Sequence, residues 1–479
     1  MSVETNPQVV RREKLAALEE RGIDPYPARW RVDDQAAALL EAFRDDGEPI
    51  GARIAGRVVW IRSHGKTAFL HVADSTGRIQ VYLRQDELGE QAFGLLDCLD
   101  LGDFVGVAGR LFRTRTGEVT VRAAEIAVLA KALRPLPLGK VVEGEGEARA
   151  YHQVADQEFR YRQRYADLAV RPESREVFAD RARIVRYLRN FLDARGFLEV
   201  ETPVLQPVYG GAAARPFTTH HNALDSTLYL RIADELYLKR CIVGGMDRVY
   251  EIAKDFRNEG IDRFHNPEFT MLELYQAYAD YGEFMELAEQ MLVGLVEELH
   301  GGTQLTFQGR TVDVSDLSRA ALAREAGRLG IEIASEEGAG RILDGLFGRL
   351  VEPGLDGPAF VIDHPAMLSP LAKGHPRDPR LVERFEAYLF GSEWANAFSE
   401  LNDPREQRER FEAQVRLAAA GDEEAPNVVD EDFLRALEYG MPPTAGIGIG
   451  IDRLTMFLTD QASIRDVILF PTLRPEEAS

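Results

Sequence analysis

Cysteine is nearly absent: Cys98 and Cys241 are the only two thiols in 479 residues. Two cysteines so far apart build neither a disulfide framework nor a thiolate metal site. Long apolar runs are missing too, and nothing approaches the roughly 18 consecutive apolar residues of a membrane span. The first residues, MSVETNPQVVRREKLAALEERG, are polar and amphipathic and carry no secretory h-region. A cytoplasmic protein without membrane attachment is expected. Positive charge is scarce, with a formal balance of -22, which speaks against a chain that coats a polyanion over its whole surface.

What is present is a globular composition, long enough for two or three domains. The charge is unevenly spread. Residues 51–140 hold 13 Lys and Arg against 9 Asp and Glu, a local balance of +4, which leaves room for a nucleic acid that docks on one module. The same stretch reads as five short strands, IAGRVVWIRS, KTAFLHVAD, GRIQVYLR, DFVGVAGRLFRT and GEVTVRAAEIAVLA, with a short helix over Glu87–Cys98. That pattern predicts a small Greek-key barrel of the OB type. Such barrels stack bases on aromatic side chains, and Arg62, Phe69 and Gln80 are the candidates. Phe69 as a core side chain and Gln80 as plain surface are the competing readings.

Before the barrel, residues 1–50 read as a helical extension with no chemistry of their own. After it, RPLPLGKVVEGEGEARA marks a domain boundary. A helix is expected over 175–195, with Phe178, Ala182, Val185, Leu188 and Leu192 at helical spacing and Gly196 as its cap. The strand RGFLEVETPVLQP follows, and a long helix feeding an edge strand suits packing against a second copy of the chain. The loop GGAAARPF, which includes Gly211, allows close backbone approach to a ligand. Glu235 opens a helix, where capping alone would account for it.

The densest chemistry lies in FRNEGIDRFHNPEFTMLELY (256–275). Read as two extended segments, it sets Arg257 and Glu259 on one face and then Phe269, Met271, Glu273 and Tyr275 on one face, with Leu272 and Leu274 behind. A front of ionisable and aromatic side chains over an apolar back is what a pocket-lining strand requires. Near the C-terminus Trp394, Asn396, Phe398 and Glu400 alternate in the same way. Glu386 and Glu393 flank Gly391 and supply oxygen ligands for a hard cation. In GIGIGIDR, glycines occupy one strand face, where a flat ligand can lie on the backbone, and Arg453 follows at a helix start. The interval 283–355 reads as helical and carries no constellation.

Three of these segments in order, RGFLEVETPVL, FRNE with Phe269 beyond it, and GIGIGIDR, resemble motifs 1, 2 and 3 of the class II aminoacyl-tRNA synthetases. The strings RYRQRYADL, LRIADELYLKR, HNPEFTMLELYQAYADY and FSELNDP narrow the resemblance to the lysyl-tRNA synthetases. The resemblance implies an α+β fold: a helical extension (1–50), a five-stranded OB-fold β-barrel that binds the anticodon (51–140), a linker (141–160) and a class II catalytic domain (161–479), an antiparallel sheet flanked by helices with a helical insertion at about 283–355. It implies lysine activation with ATP and transfer to the 3' end of tRNA(Lys) by a homodimer. Carried over, Arg257 and Arg453 hold phosphates as the catalytic cations, and Glu259, His265, Asn266 and Phe269 place the nucleotide. Glu386 and Glu393 hold Mg2+. Gly211, Glu235, Glu273, Tyr275, Asn396, Phe398 and Glu400 form the lysine pocket, and Arg62, Phe69 and Gln80 bind the anticodon. Ala395 and Ala397 stand where many relatives have glycine, which puts pocket-wall packing in question. The rival readings are an aspartyl- or asparaginyl-tRNA synthetase, which requires a cation for its substrate carboxylate, and a lysine-activating enzyme that modifies a protein.

Overall fold

The computed structural model describes residues 6–137, 140–142, 149–151, 156–315, 318–321, 347–355, 357–421 and 425–475. The chain divides into two compact units, Met1–Val170 and Arg171–Ser479.

In the first unit, β1 (Gly51–His64), β2 (Thr67–Ala73), β3 (Arg78–Arg84), β4 (Phe104–Arg113) and β5 (Val119–Ala130) close a barrel in the order β1-β2-β3-β5-β4. Strict alternation dictates the closure: Ala68, Leu70 and Val72 of β2 turn inward onto Val58, Val81 and Val121, while Phe69 and His71 turn outward. Short helical turns over Gln85–Cys98 fill the link from β3 to β4. Residues 6–50 contribute to this core. Helix α1 (Pro7–Glu20) starts from the Asn6 cap, buries Leu18 in the barrel cluster and sends Arg11 to the carbonyls of Leu101 and Ala132. Helix α2 (Ala36–Ala42) adds Ala36 and Leu39 to the same cluster.

The second unit is built on an eight-stranded sheet. Its strands are β6 (Leu198–Glu199), β7 (Arg248–Phe256), β8 (Glu268–Ala277), β9 (Ser318–Ala321), β10 (Ala359–Pro365), β11 (Leu381–Leu389), β12 (Ser392–Ser399) and β13 (Thr444–Gly450). They lie in the order β9-β10-β11-β12-β13-β8-β7-β6 and pair antiparallel except at the two ends. Helices α3 (Pro172–Asp193) and α5 (Tyr281–His300) cover one face, where Leu188, Leu192, Met291 and Leu292 meet Leu272, Leu274, Ile447 and Ile449. Between them in sequence lies α4 (Glu235–Val243).

Several sequence expectations shift. The buried stripe of α3 is Ile184, Leu188, Phe191 and Leu192, with Ala182 exposed. The helix ends at Asp193, and Gly196 lies beyond it in the left-handed region (φ 77°). The expected long strand after it shortens to Leu198–Glu199, with Leu205–Gln206 pairing in a separate small sheet, because Pro203 has no N–H to continue a ladder. In the interval read as helical, α5 is followed by a hairpin, Gln304–Phe307 with Arg310–Asp313, and then by β9. The turn Gln308–Gly309 has positive φ at both residues, a signal that outweighs the helical periodicity around it. Residues 322–346 lie outside the described residues. Ala395 and Ala397 face the helices and are buried in the core, away from the cleft described next.

Candidate active site

The face of the sheet away from α3 and α5 forms the floor of a cleft of about 1300 Å³. Every nucleotide-site and lysine-site residue expected from the sequence lines it except Glu400. Alternation does most of this work: β8 turns Phe269, Met271, Glu273 and Tyr275 to the cleft and Leu272 and Leu274 to the core.

Arg257 and Glu259 sit in the loop after β7 and not on a strand, since β7 ends at Phe256. Pro267 closes that loop, its carbonyl accepting from Arg257 N at 2.9 Å. The guanidinium of Arg257 stands 5.1 Å from the Phe269 ring centroid and donates to Ile232 O at 3.4 Å. His265 is exposed and meets Asp262 at 2.8 Å. Asn266 is buried and braces the loop, donating to Glu268 O at 2.5 Å and accepting from Thr472 N at 3.3 Å. Arg453, in the first turn of α6 (Ile451–Leu458), donates to Glu393 O at 2.5 Å and lies 3.6 Å from its carboxylate.

Glu386 and Glu393 come from the two strands of the β11–β12 hairpin, Glu386 opposite Asn396 and Glu393 opposite Tyr388, and both line the cleft. Arg384 and the Tyr388 hydroxyl each donate to one oxygen of Glu386 at 2.6 Å. Burial, and then the charge of Glu386, pushes Glu393 up to about 7 despite Arg453. Two half-buried carboxylates with spare lone pairs, whose mutual repulsion adds to burial in raising Glu393, fit a hard divalent ion that would relieve that repulsion.

At the other end of the cleft, Tyr275 donates to Glu273 at 2.8 Å. Burial drives Glu273 up to about 8, helped by Glu235 and Asp255. Behind it Asp234, Asp255 and Glu273 bring carboxylate oxygens within 4.8 Å of one another. Arg231 answers part of that charge, reaching Glu251 at 2.8 Å and Asp255 at 3.3 Å. Capping does not explain Glu235, which is buried and accepts from Lys239 at 2.5 Å. Glu400 lies beneath the cleft floor, ion-paired to the same Lys239, whose side chain is wholly buried. Asn396 points into the cleft with its carbonyl taken by Arg384 at 3.0 Å.

The glycines of β13 line the cleft, with Gly450 open as expected, but Gly446 and Gly448 also make room for side chains of the protein. A Cβ on Gly446 would stand 2.3 Å from the Tyr275 ring and 2.4 Å from Glu400 Oε1, so side chains of the protein itself occupy that face. Gly448 has the same function toward Met271, 3.1 Å from its would-be Cβ. Sequence reasoning missed Lys239, Arg384, Asp234 and Asp255. Two of them left a signal: Lys239 is four residues after Glu235 on one helix face, and Asp255 shares a strand face with Glu251.

On the barrel, Phe69 is outside the core, its ring tilted by 33° against Tyr82 on the next strand with centroids 4.7 Å apart. Gln80 accepts from Thr120 at 2.8 Å and donates to Glu118 at 2.6 Å. Arg62 is exposed and lies opposite Phe69 in the β1–β2 register.

Among the described residues no helix is long and apolar enough to cross a membrane. Residues 156–474 match the family described as tRNA synthetases class II (D, K and N), and residues 52–129 match the OB-fold nucleic acid binding domain. The chain is 50% identical to a lysine–tRNA ligase of Moorella thermoacetica, with 100% of this chain and 99% of that protein covered. It is also 50% identical to one of Carboxydothermus hydrogenoformans over 98% of each. A third, from Pelotomaculum thermopropionicum, is 49% identical over 98% of this chain and 95% of its own length. With both family models matched and about half of the residues identical to these relatives over nearly the full length of each, the chain belongs to the lysine–tRNA ligase family of class II aminoacyl-tRNA synthetases.

Proposed function

We propose that the protein activates L-lysine with ATP to lysyl-adenylate in this cleft and passes the lysyl group to the 3' end of tRNA(Lys), in the cytoplasm. The observation that carries the reading is the cluster of buried glutamates at one end of the cleft, Glu235 and Glu273 on its wall and Glu400 beneath its floor, with Tyr275 among them. An ammonium group is the ligand that makes such burial tolerable, since removing one partner of a buried charge pair costs about 3–5 kcal/mol. A neutral isostere would leave these carboxylates unpaired, so discrimination on the order of 10⁴ follows from polar recognition alone. The acidic-substrate rival requires a free cation at this end. Lys239, the buried ammonium there, is taken up by Glu235 and Glu400.

Activation is an in-line displacement at the α-phosphorus by the lysine carboxylate, which asks for positioning and charge, not for an enzyme nucleophile. Arg257 holds the carboxylate and the α-phosphate together while Phe269 carries the adenine. Glu259, His265 and Asn266 shape the nucleotide's side of the loop, and Arg453 meets the γ-phosphate. Glu386 and Glu393 would hold magnesium, which supplies charge neutralisation on the phosphates. ATP–pyrophosphate exchange measured with each of the twenty amino acids tests the reading: lysine alone is expected to support exchange, and equal exchange with aspartate or asparagine would overturn it.

The barrel is read as the anticodon platform, supported by the outward Phe69–Tyr82 pair and the Gln80–Glu118 contact. Phe69→Ala is expected to lower kcat/KM for tRNA roughly 10- to 100-fold, the worth of about one stacked base, while lysine-dependent exchange is unchanged. Equal loss in both assays would show that Phe69 acts through folding. A homodimer is supported by β6, the edge strand, and by the exposed Leu198, Val204 and Leu205 beside it. Sedimentation is expected to give a dimer of 53.6 kDa chains, and a fully active monomer would contradict the assignment.

A further inference from the structure

Lys239 has no part in the reaction as described, yet among the described residues it is the one lysine buried directly behind the pocket wall. Its Nζ lies 2.5 Å from Glu235 Oε1 and within ion-pair contact of Glu400 Oε2, with the Phe398 ring centroid 5.3 Å away. The other oxygen of each glutamate is turned elsewhere. Glu235 Oε2 lies 3.8 Å from where a Cβ on Gly211 would stand, and Gly211 lines the cleft. Glu400 Oε1 is buried without a hydrogen-bond partner and lies 2.4 Å from the would-be Cβ of Gly446, also on the lining. One ammonium therefore ties two carboxylates by one oxygen each and leaves the second oxygen of each beside a glycine.

We propose that Lys239 is a positioning residue for lysine recognition: it anchors Glu235 and Glu400 and cancels one of the pocket's three glutamate charges. Two of the three glutamates then remain to face the two ammonium groups of the substrate, Glu273 giving up its proton as the substrate binds. The inference rests on the lysine-pocket reading above. A purely structural role is a poor account of the residue, because buried ion pairs are often replaceable by apolar side chains without loss of stability. Burial alone would favour the neutral amine, but Glu235 and Glu400 hold Lys239 protonated, above the ordinary lysine value. At the lysine end of the cleft, Glu273 titrates in the working range at about 8, with Asp255 behind it at about 6. Facing Glu273 are Glu235 and Asp234 from α4 and its cap, Asp255 from β7, Tyr275 from β8 and Glu400 past β12, with Arg231, Arg384 and Lys239 as the nearby cations.

The test is lysine-dependent ATP–pyrophosphate exchange by the full-length protein from roughly pH 6 to 9. In the unmodified protein kcat/KM for lysine should rise with pH as Glu273 loses its proton. Lys239→Met is expected to lower kcat/KM for lysine about a hundredfold at neutral pH with the KM for ATP unchanged, and to move the rising limb alkaline by about one unit. Glu235→Gln, which removes a negative charge from the same pair, should move the limb the opposite way. The double variant Glu235→Gln with Lys239→Met should bring it back. A stationary limb in Lys239→Met, or shifts of one sign in both single variants, would overturn the proposal. If Lys239→Met does not fold, the absence of an acid shift in Glu235→Gln overturns it by itself. Glu273→Gln separates the two readings: no effect on lysine KM there sinks the pocket, whereas a large effect there with a stationary limb elsewhere sinks only the role of Lys239.

Discussion

Glu273→Gln is expected to raise the KM for lysine by roughly two to three orders of magnitude while ATP binding to the free protein survives. Truncating one partner of a buried charge pair costs about 2–5 kcal/mol, and each 1.4 kcal/mol is about a factor of ten. Glutamine keeps the volume and a carbonyl for Tyr275 but removes the charge that an ammonium requires. The pH dependence has a definite sign. Glu273 sits at about 8 in the free protein, raised from 4.5 first by burial and then by Glu235 and Asp255. A carboxyl raised in the folded state favours folding below its unfolded value, and that contribution is lost as pH rises through the folded value. The free protein should thus lose stability between about 4.5 and about 8, lysine should restore it, and Glu273→Gln should flatten the curve. Measuring Tm against pH with and without lysine checks this. An unchanged profile in the variant would remove Glu273 from the pocket.

Gly446→Ala is expected to lower kcat/KM for lysine about a hundredfold, the usual consequence of misplacing a binding group by about an ångström. The added methyl would stand 2.3 Å from the Tyr275 ring and 2.4 Å from Glu400 Oε1. Neither neighbour can give way cheaply: Tyr275 is bonded to Glu273, and Glu400 is pinned by Lys239. Gly450→Ala is the control, since its would-be Cβ meets only the Arg453 Cβ at 3.7 Å. Steady-state kinetics of both variants settle the comparison. Equal, small effects would show that the Gly446 face has slack.

Why were these residues legible to different degrees? Alternation along β8 and β12 put Glu273, Tyr275, Asn396 and Phe398 on one face without any knowledge of the fold, because period two is dictated by backbone geometry. The barrel was legible for the same reason. Arg257 and Glu259 were assigned to a strand, since a pattern of two residues cannot distinguish a strand from the loop that continues it. The partner of Glu400 was invisible: Lys239 is 161 positions away in a helix, and only the tertiary fold brings them together. The role of Gly446 was misread because an empty strand face in sequence says nothing about what fills it. The hairpin Gln304–Asp313 was hidden by the helical composition around it, and only its positive-φ turn, a backbone fact, gives it away.

The double duty of β8 has a consequence for how the protein tolerates change. Leu272 and Leu274 hold the helices on one side, while Glu273 and Tyr275 line the cleft on the other. Loss or gain of a single residue in this strand would turn the glutamate into the oil and the leucines into the substrate site at one stroke. Foldability and the chemistry of the cleft therefore hang on the same ten-residue reading frame, and a chain of this design cannot drift in one without forfeiting the other.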